Sequence, residues 1–191
     1  ARMKLLVATS NKGKVREIAE ALGGLGLDVV DLEAAGAATV PVPDETGATF
    51  QENALLKARY YHEASGLMTV ADDSGLEVAI LGGRPGLYSA RYGASDAERI
   101  ERLLAELDGV PSSERVARFV CAVALVGENL AETFTGTCEG TIRHIPSGTN
   151  GFGFDPIFVP EGETRTFAEM EPREKTAVSH RGRAIAGLVE F

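Results

Sequence analysis

Lys4-Leu5-Leu6-Val7-Ala8-Thr9-Ser10-Asn11-Lys12-Gly13-Lys14-Val15-Arg16-Glu17-Ile18-Ala19-Glu20-Ala21-Leu22-Gly23-Gly24 is the stretch that decides the fold. Lys4 to Thr9 is a short apolar run without helical period, which reads as a buried strand. Ser10 to Lys14 is a polar turn. Val15, Ile18, Ala19 and Leu22 then recur at helix spacing, and Gly23-Gly24 ends the helix. Asp28 to Leu32 is a second strand candidate. Strand, helix and strand in that order open an α/β fold.

Working outward, Gly36 to Gly47 is a loop with Pro41 and Pro43, and Thr49 with Glu52 forms a capping-box pattern. A helix is predicted from there to about Ser65, stopped by Gly66. Met68 to Ala71 reads as a buried strand ending in Asp72-Asp73-Ser74-Gly75, and Leu76 to Leu81 continues the apolar pattern. Ser95 and Glu98 open another helix, with Ile100, Leu103, Leu104 and Leu107 on one face. Val116 to Val126 and Leu130 to Thr137 look like a hairpin across Gly127-Glu128-Asn129. Thr141 to Ile145 is a further strand, Asn150 to Phe158 a shaped loop, and Ser179 to Val189 a helix. Early strands alternate with helices and late strands follow one another. The expected fold is therefore α/β, with a mixed central sheet flanked by helices.

Length and composition set the bounds. The 191 residues suit one domain or two small lobes. Hydrophobic residues make up 44% and charged residues 25%, enough apolar material for a core without disulfide or metal. The net charge of −9 argues against a partner made of nucleic-acid polymer or an anionic membrane surface, while leaving room for a small anion in a local basic pocket. The apolar run Leu5-Leu6-Val7 is too short for a signal-peptide core, and no run approaches the ~18 apolar residues of a membrane span. Cys121 and Cys138 lie in no CxxC or Cys/His cluster and read as small core residues, which fits a cytoplasmic setting.

Five places can carry chemistry. Thr9, Ser10, Asn11, Lys12, Gly13 and Lys14 sit between a strand and a helix N-terminus, where free amides and the helix dipole favour an anion. The turn is not a Walker A loop, because Ala8 and Val15 stand where that motif needs Gly and Ser/Thr. Read alone, it is also an ordinary capped helix start. Asp72-Asp73 are adjacent carboxylates that need a cation or donors, and Mg²⁺ takes one or two carboxylates with water and phosphate. Read alone, they are also an Asp-rich turn. Glu45 adds a carboxylate on the preceding loop, and Asn53 and Lys57 share a helix face four residues apart. Phe152, Gly153, Phe154 and Asp155 combine close backbone approach with two rings that can stack on a base. Lys175, His180 and Arg181 put cations near and at the start of the last helix. Cations, carboxylates and aromatics together describe a nucleotide pocket. No Cys or Ser triad competes, which leaves metal-assisted attack of water on a phosphate.

These blocks match a family. ATSNKGK at residues 8–14, ETG at 45–47 with FQENALLKA at 50–58, ADDSGL at 71–76, GGRPGLYSARY at 82–92, GFGFDPIF at 151–158, and Glu174-Lys175 with SHRG at 179–182 stand in the family's order along nearly the whole chain. The sequence resembles the inosine triphosphate pyrophosphatases, the Ham1 or non-canonical purine NTP pyrophosphatases. The resemblance implies one domain over residues 1–191, with two lobes and the active-site cleft between them. It implies hydrolysis of ITP, dITP and XTP to the monophosphate and pyrophosphate, with Mg²⁺ as cofactor, in a cytoplasmic homodimer. It implies that Thr9 to Lys14 and Lys57 bind the triphosphate, that Glu45 and Asp73 hold Mg²⁺, and that Asp73 is the proton acceptor. Ser74 would contact substrate, while Phe152 to Asp155, Lys175, His180 and Arg181 would surround the nucleotide and read the base.

Ser10 stands where many members have Gly, and Phe154 where Tyr or Trp is common. A carboxylate on a metal is a poor base, so the sequence leaves open whether Asp73, Asp72 or solvent takes the proton. Two other readings remain at this stage: a Maf-like pyrophosphatase with other base preferences, and a nucleotide-binding sensor without catalysis.

Overall fold

The computed structural model describes residues 2–191. Its elements run β1 (Lys4–Val7), α1 (Lys12–Leu22), β2 (Asp28–Val30), α2 (Phe50–Ser65), β3 (Met68–Val78), α3 (Asp96–Glu106), β4 (Val116–Gly127), β5 (Leu130–Ile142), β6 (Phe158–Pro160), α4 (Pro172–Val178) and α5 (His180–Glu190). Among the described residues the strands form one mixed sheet in the order β2-β1-β3-β4-β5-β6. β1 pairs in parallel with both β2 and β3, with Leu6 opposite Val30 and Thr69. A strand flanked in this way is buried on both faces, which is why Leu5, Leu6 and Val7 run apolar without alternation. β5 and β6 are antiparallel, and the two-residue link Glu128-Asn129 folds β5 back along β4.

The chain divides into two compact units. The first comprises Ala1–Asp73, Cys121–Gly136 and Arg181–Phe191, and the second Ser74–Val120 and Thr137–His180. β3, β4 and β5 each continue from one unit into the other. In the first unit, Leu5 and Val7 of β1 pack with Ile18 and Leu22 of α1, Val70, Val123 and Leu125, and with Ala184, Ile185 and Leu188 of α5. In the second, Ile100, Leu103 and Leu107 join Leu76, Val78, Phe119, Phe158 and Phe167.

The mixed sheet with flanking helices agrees with the expected class, and several boundaries move. The strand beginning at Met68 does not stop at Ala71. It runs through Asp72, Asp73 and Ser74 to Val78, so the two aspartates are strand residues rather than a turn. Pairing and burial on both sides override the turn preference of the Asp-Asp-Ser-Gly sequence. The Thr141–Ile145 strand is the end of β5, which reaches Ile142. Lys175 lies in the separate short helix α4, which Pro172 opens and Ser179 closes.

Candidate active site

Asn11 caps α1. Its Oδ1 accepts from the backbone N–H groups of Gly13 (3.0 Å) and Lys14 (3.3 Å), and its own N–H donates to Thr9 Oγ1 at 3.1 Å. The turn is thus pre-shaped by its own side chains, with Ser10, Asn11 and Lys12 exposed. Lys14 leans back from this turn and forms an ion pair with Asp72 Oδ2 at 3.3 Å.

Asp72 is fully buried and is the anionic centre of a cation cluster. Besides Lys14, the Nε and Nη2 of Arg181 both approach its Oδ2 at 3.3 Å, and Lys57 Nζ donates to its backbone carbonyl at 2.8 Å. Arg181 also donates to Glu17 through Nη1. Burial acts to raise the pKa of Asp72. The charges of Lys14, Arg181 and Lys57 outweigh that and hold it well below the usual carboxylate range. The neighbouring Cys121 thiol is pushed up to about 12, first by burial and then by the Asp72 charge.

Asp73, one residue on, points to the opposite side of the strand, as the two-residue side-chain period requires. It accepts from Asn53 Nδ2 at 3.0 Å. Burial, followed by repulsion from Glu45, raises its pKa to about 6. Glu45 is paired with Lys57 at 2.8 Å. Lys57 itself is buried, because these anions offset the desolvation of its ammonium and leave its pKa raised.

Asp73 and Glu45 offer oxygen donors of the kind a hard divalent cation takes. Among the described residues no group of three or more His, Cys, Asp or Glu forms a metal cage. Two crowded carboxylates, one with a raised pKa, call for a cation that completes its shell with water and phosphate oxygens.

The second unit holds the remaining expected residues. Asp155 and Lys175, both buried, pair at 2.7 Å. Asp155 Oδ2 also accepts from the Phe152 N–H at 3.0 Å, and a Cβ on Gly151 would collide with that oxygen. Lys175 Nζ lies 4.8 Å from the Phe152 ring centre. The two phenylalanines differ: Phe154 is part of the core and 4% exposed, whereas Phe152 is half-buried. Gly153 N–H donates to Asp96 at 3.0 Å. His180 stacks on Phe119 with centroids 4.6 Å apart. Ser74 is half-buried on β3.

The structure therefore brings Lys14, Lys57, Arg181, Asp72, Asp73 and Glu45 into one network in the first unit. Phe152, Asp155 and Lys175 form another in the second. Sequence reading passed over Glu17 as the partner of Arg181, and it left Asn53 without a partner. No local spacing could have found either pairing, because Glu17 lies 164 residues from Arg181 and Asn53 lies 20 from Asp73.

Residues 5–191 match the model of the Ham1 family. The chain belongs to the Ham1 family. A Ham1 relative from Deinococcus deserti, a dITP/XTP pyrophosphatase, is 50% identical over 188 residues, covering 97% of this chain and 87% of that protein. The solved structure of a HAM1 protein from Coxiella burnetii superposes with a TM-score of 0.85 at 41% identity, covering 97% of this chain and 96% of the other. The nucleoside-triphosphatase / dITP/XTP pyrophosphatase of Mycobacterium abscessus gives a TM-score of 0.76 at 46% identity, covering 99% of this chain and 100% of the other. Among the described residues, no helix of this Ham1 protein is long and apolar enough to cross a membrane.

Proposed function

We propose that this Ham1 protein hydrolyses ITP, dITP and XTP to the monophosphate and pyrophosphate with Mg²⁺. The observation that carries the reading is the division of labour on β3. Asp72 gathers Lys14, Lys57 and Arg181, and Asp73 sits with Glu45 and Asn53 on the other side. That arrangement occurs in a chain half identical, over nearly its whole length, to a dITP/XTP pyrophosphatase.

In this mechanism Thr9 to Lys14 and Lys57 hold the triphosphate, and Glu45 and Asp73 hold the metal. Mg²⁺, when bound, supplies Lewis-acid polarisation of phosphate oxygens. Water forms a new bond to the α-phosphorus, the bond from that phosphorus to the bridging oxygen breaks, and pyrophosphate leaves with the electron pair. Asp72 is held ionised by its cations and is a poor proton acceptor. The resemblance makes Asp73 the proton acceptor as well as a metal ligand; a cation held by Asp73 would lower its basicity, and solvent would then take the proton of the attacking water. Ser74 contacts the substrate. Phe152, Gly153, Asp155, Lys175 and His180 read the base, while Phe154 supports their loop from the core and Arg181 serves the site through Asp72 and Glu17. A 6-keto purine offers an acceptor to a donor that adenine leaves unpaired, a difference of about 1–3 kcal/mol.

We further propose that residues 1–191 act as one catalytic domain, supported by a family match unbroken over residues 5–191. A cytoplasmic homodimer is proposed on the resemblance.

The test is release of pyrophosphate from ITP, XTP, dITP, ATP, GTP, dTTP and UTP, with and without Mg²⁺, and phosphorus NMR of the products. The expected result is preference for the first three and pyrophosphate as the product. Stepwise orthophosphate release, preference for dTTP or UTP, or binding without turnover would each overturn the proposal.

A further inference from the structure

One buried side chain joins the loop carrying Glu45 to the strand carrying Asp73, and none of the roles above uses it. Asn53 lies near the start of α2 and is 3% exposed. Its Oδ1 accepts from the Gly47 N–H at 2.7 Å, and its Nδ2 donates to Asp73 Oδ2 at 3.0 Å. Only one orientation of the amide serves both partners, because a flip would set N–H against N–H and C=O against carboxylate. A Cβ built on Gly47 would stand 2.6 Å from Asn53 Oδ1 and 2.8 Å from Glu52 Cβ. The loop therefore reaches Asn53 because residue 47 has no side chain. Lys57, one turn further along α2, ties the same loop to the same strand by bonding Glu45 and the Asp72 carbonyl, each at 2.8 Å.

We propose that Asn53 is a positioning residue for the divalent cation: through Gly47 and Asp73 it holds the Glu45 loop against β3 and orients the Asp73 carboxylate. One carboxylate oxygen of Asp73 is committed to the Asn53 amide, which leaves the other to the cation. The inference rests on the reading of Glu45 and Asp73 as the metal ligands. Hydrogen-bonding partners behind a metal ligand typically change affinity by about 10–100-fold when removed.

The experiment measures Mn²⁺ binding to the nucleotide-free full chain by electron paramagnetic resonance, and ITP binding in EDTA by calorimetry. The variants are Asn53→Leu, Gly47→Ala and Asp73→Asn. Asn53→Leu keeps the branched skeleton and removes both hydrogen bonds, whereas Gly47→Ala disturbs the same amide from the loop side. Both should weaken Mn²⁺ by about 10–100-fold while leaving metal-free ITP binding unchanged. Unaltered Mn²⁺ affinity in Asn53→Leu overturns the proposal, as do equal losses of Mn²⁺ and metal-free ITP affinity, which would reduce Asn53 to a folding role. Should Asn53→Leu fail to fold, Gly47→Ala decides by the same two measurements. Asp73→Asn separates the two levels. If it leaves Mn²⁺ affinity intact, the metal-site reading fails and the role of Asn53 fails with it. If Asp73→Asn weakens Mn²⁺ and Asn53→Leu does not, the role of Asn53 alone fails.

Discussion

Asp72 and Asp73 are consecutive on β3, yet their carboxylates titrate in opposite directions from the same ordinary value. Both are buried, so desolvation acts to raise both. The difference lies in what each side of the strand offers. Asp72 meets Lys14 at 3.3 Å and Arg181 at 3.3 Å. Asp73 meets a neutral amide and the like charge of Glu45. At Asp72 the cations outweigh burial, whereas at Asp73 burial and Glu45 outweigh the Asn53 amide and the more distant charges of Lys57 and Lys14.

Replacing Asp73 should therefore stabilise the metal-free protein and abolish turnover. A carboxylate whose folded pKa lies above its unfolded value binds its proton more tightly when folded. Stability is then lost as pH rises from about 4 to about 6, and it stays lost above that. At just over two pKa units, the penalty removed by Asp73→Asn is about 3 kcal/mol at most. Thermal melts in EDTA should show the variant above the wild type at pH 8 and level with it near pH 4. An equal difference at both pH values would show that the gain is not electrostatic. Near-normal kcat would remove Asp73 from the chemistry.

Asp72→Asn should do the reverse. The folded pKa of Asp72 is depressed, so its contribution is present above the ordinary carboxylate range and lost as pH falls below it. Removing the charge takes a carboxylate from the guanidinium of Arg181, which is 2% exposed and also bound to Glu17. Breaking a buried pair by deleting one partner costs about 3–5 kcal/mol, and the isosteric amide should place the loss at the low end. Urea titrations at pH 7 and pH 3 check this: the midpoints should differ at pH 7 and converge at pH 3. A variant as stable as wild type at pH 7 would mean that Lys14 and Arg181 do not depend on Asp72.

Much of this pair was legible before the fold. Two adjacent aspartates after an apolar run, with a lysine turn and a loop glutamate elsewhere, already called for cations. What the sequence could not reveal was which aspartate met which group. That followed from strand continuation through Asp73 to Val78, set by sheet pairing rather than by local turn chemistry. Arg181 sits 109 residues from Asp72 in sequence, so no local pattern could pair them. The helices were easier because caps and glycine stops are local: Thr49 accepts from Glu52 N–H, and Gly66 takes the left-handed conformation with φ of 71°. α4 and β6, of seven and three residues, were too short for a periodic signal.

Both cysteines should resist alkylation in the native protein. Cys121 is completely buried and its thiol is pushed up to about 12, so the thiolate fraction at pH 8 is small. Cys138 is 2% exposed. Iodoacetamide at pH 8, followed by mass spectrometry, should label neither before denaturation and both after it. Rapid native labelling of Cys121 would mean that the sheet opens at β4 on the timescale of the reaction.

The Asp155–Lys175 pair should prove strongly coupled and should matter to nucleotide binding. Lys175 and Asp155 are 4% and 3% exposed and stand 2.7 Å apart. Asp155→Asn takes this carboxylate from a buried ammonium, and Lys175→Met takes the ammonium from a buried carboxylate; each should cost about 3–5 kcal/mol. The double variant should cost less than the sum, because neither charge is then left without the other. The functional consequence runs through Asp155 Oδ2, which also holds the Phe152 N–H at 3.0 Å and so shapes the loop whose ring lies 4.8 Å from Lys175 Nζ. If that loop reads the base, the double variant should show a raised KM for ITP and a smaller preference over ATP even where its stability recovers. Additive losses in denaturation midpoint would dissolve the pair as an energetic unit. An unchanged ITP-to-ATP ratio of kcat/KM in the double variant would detach the Phe152 loop from base recognition.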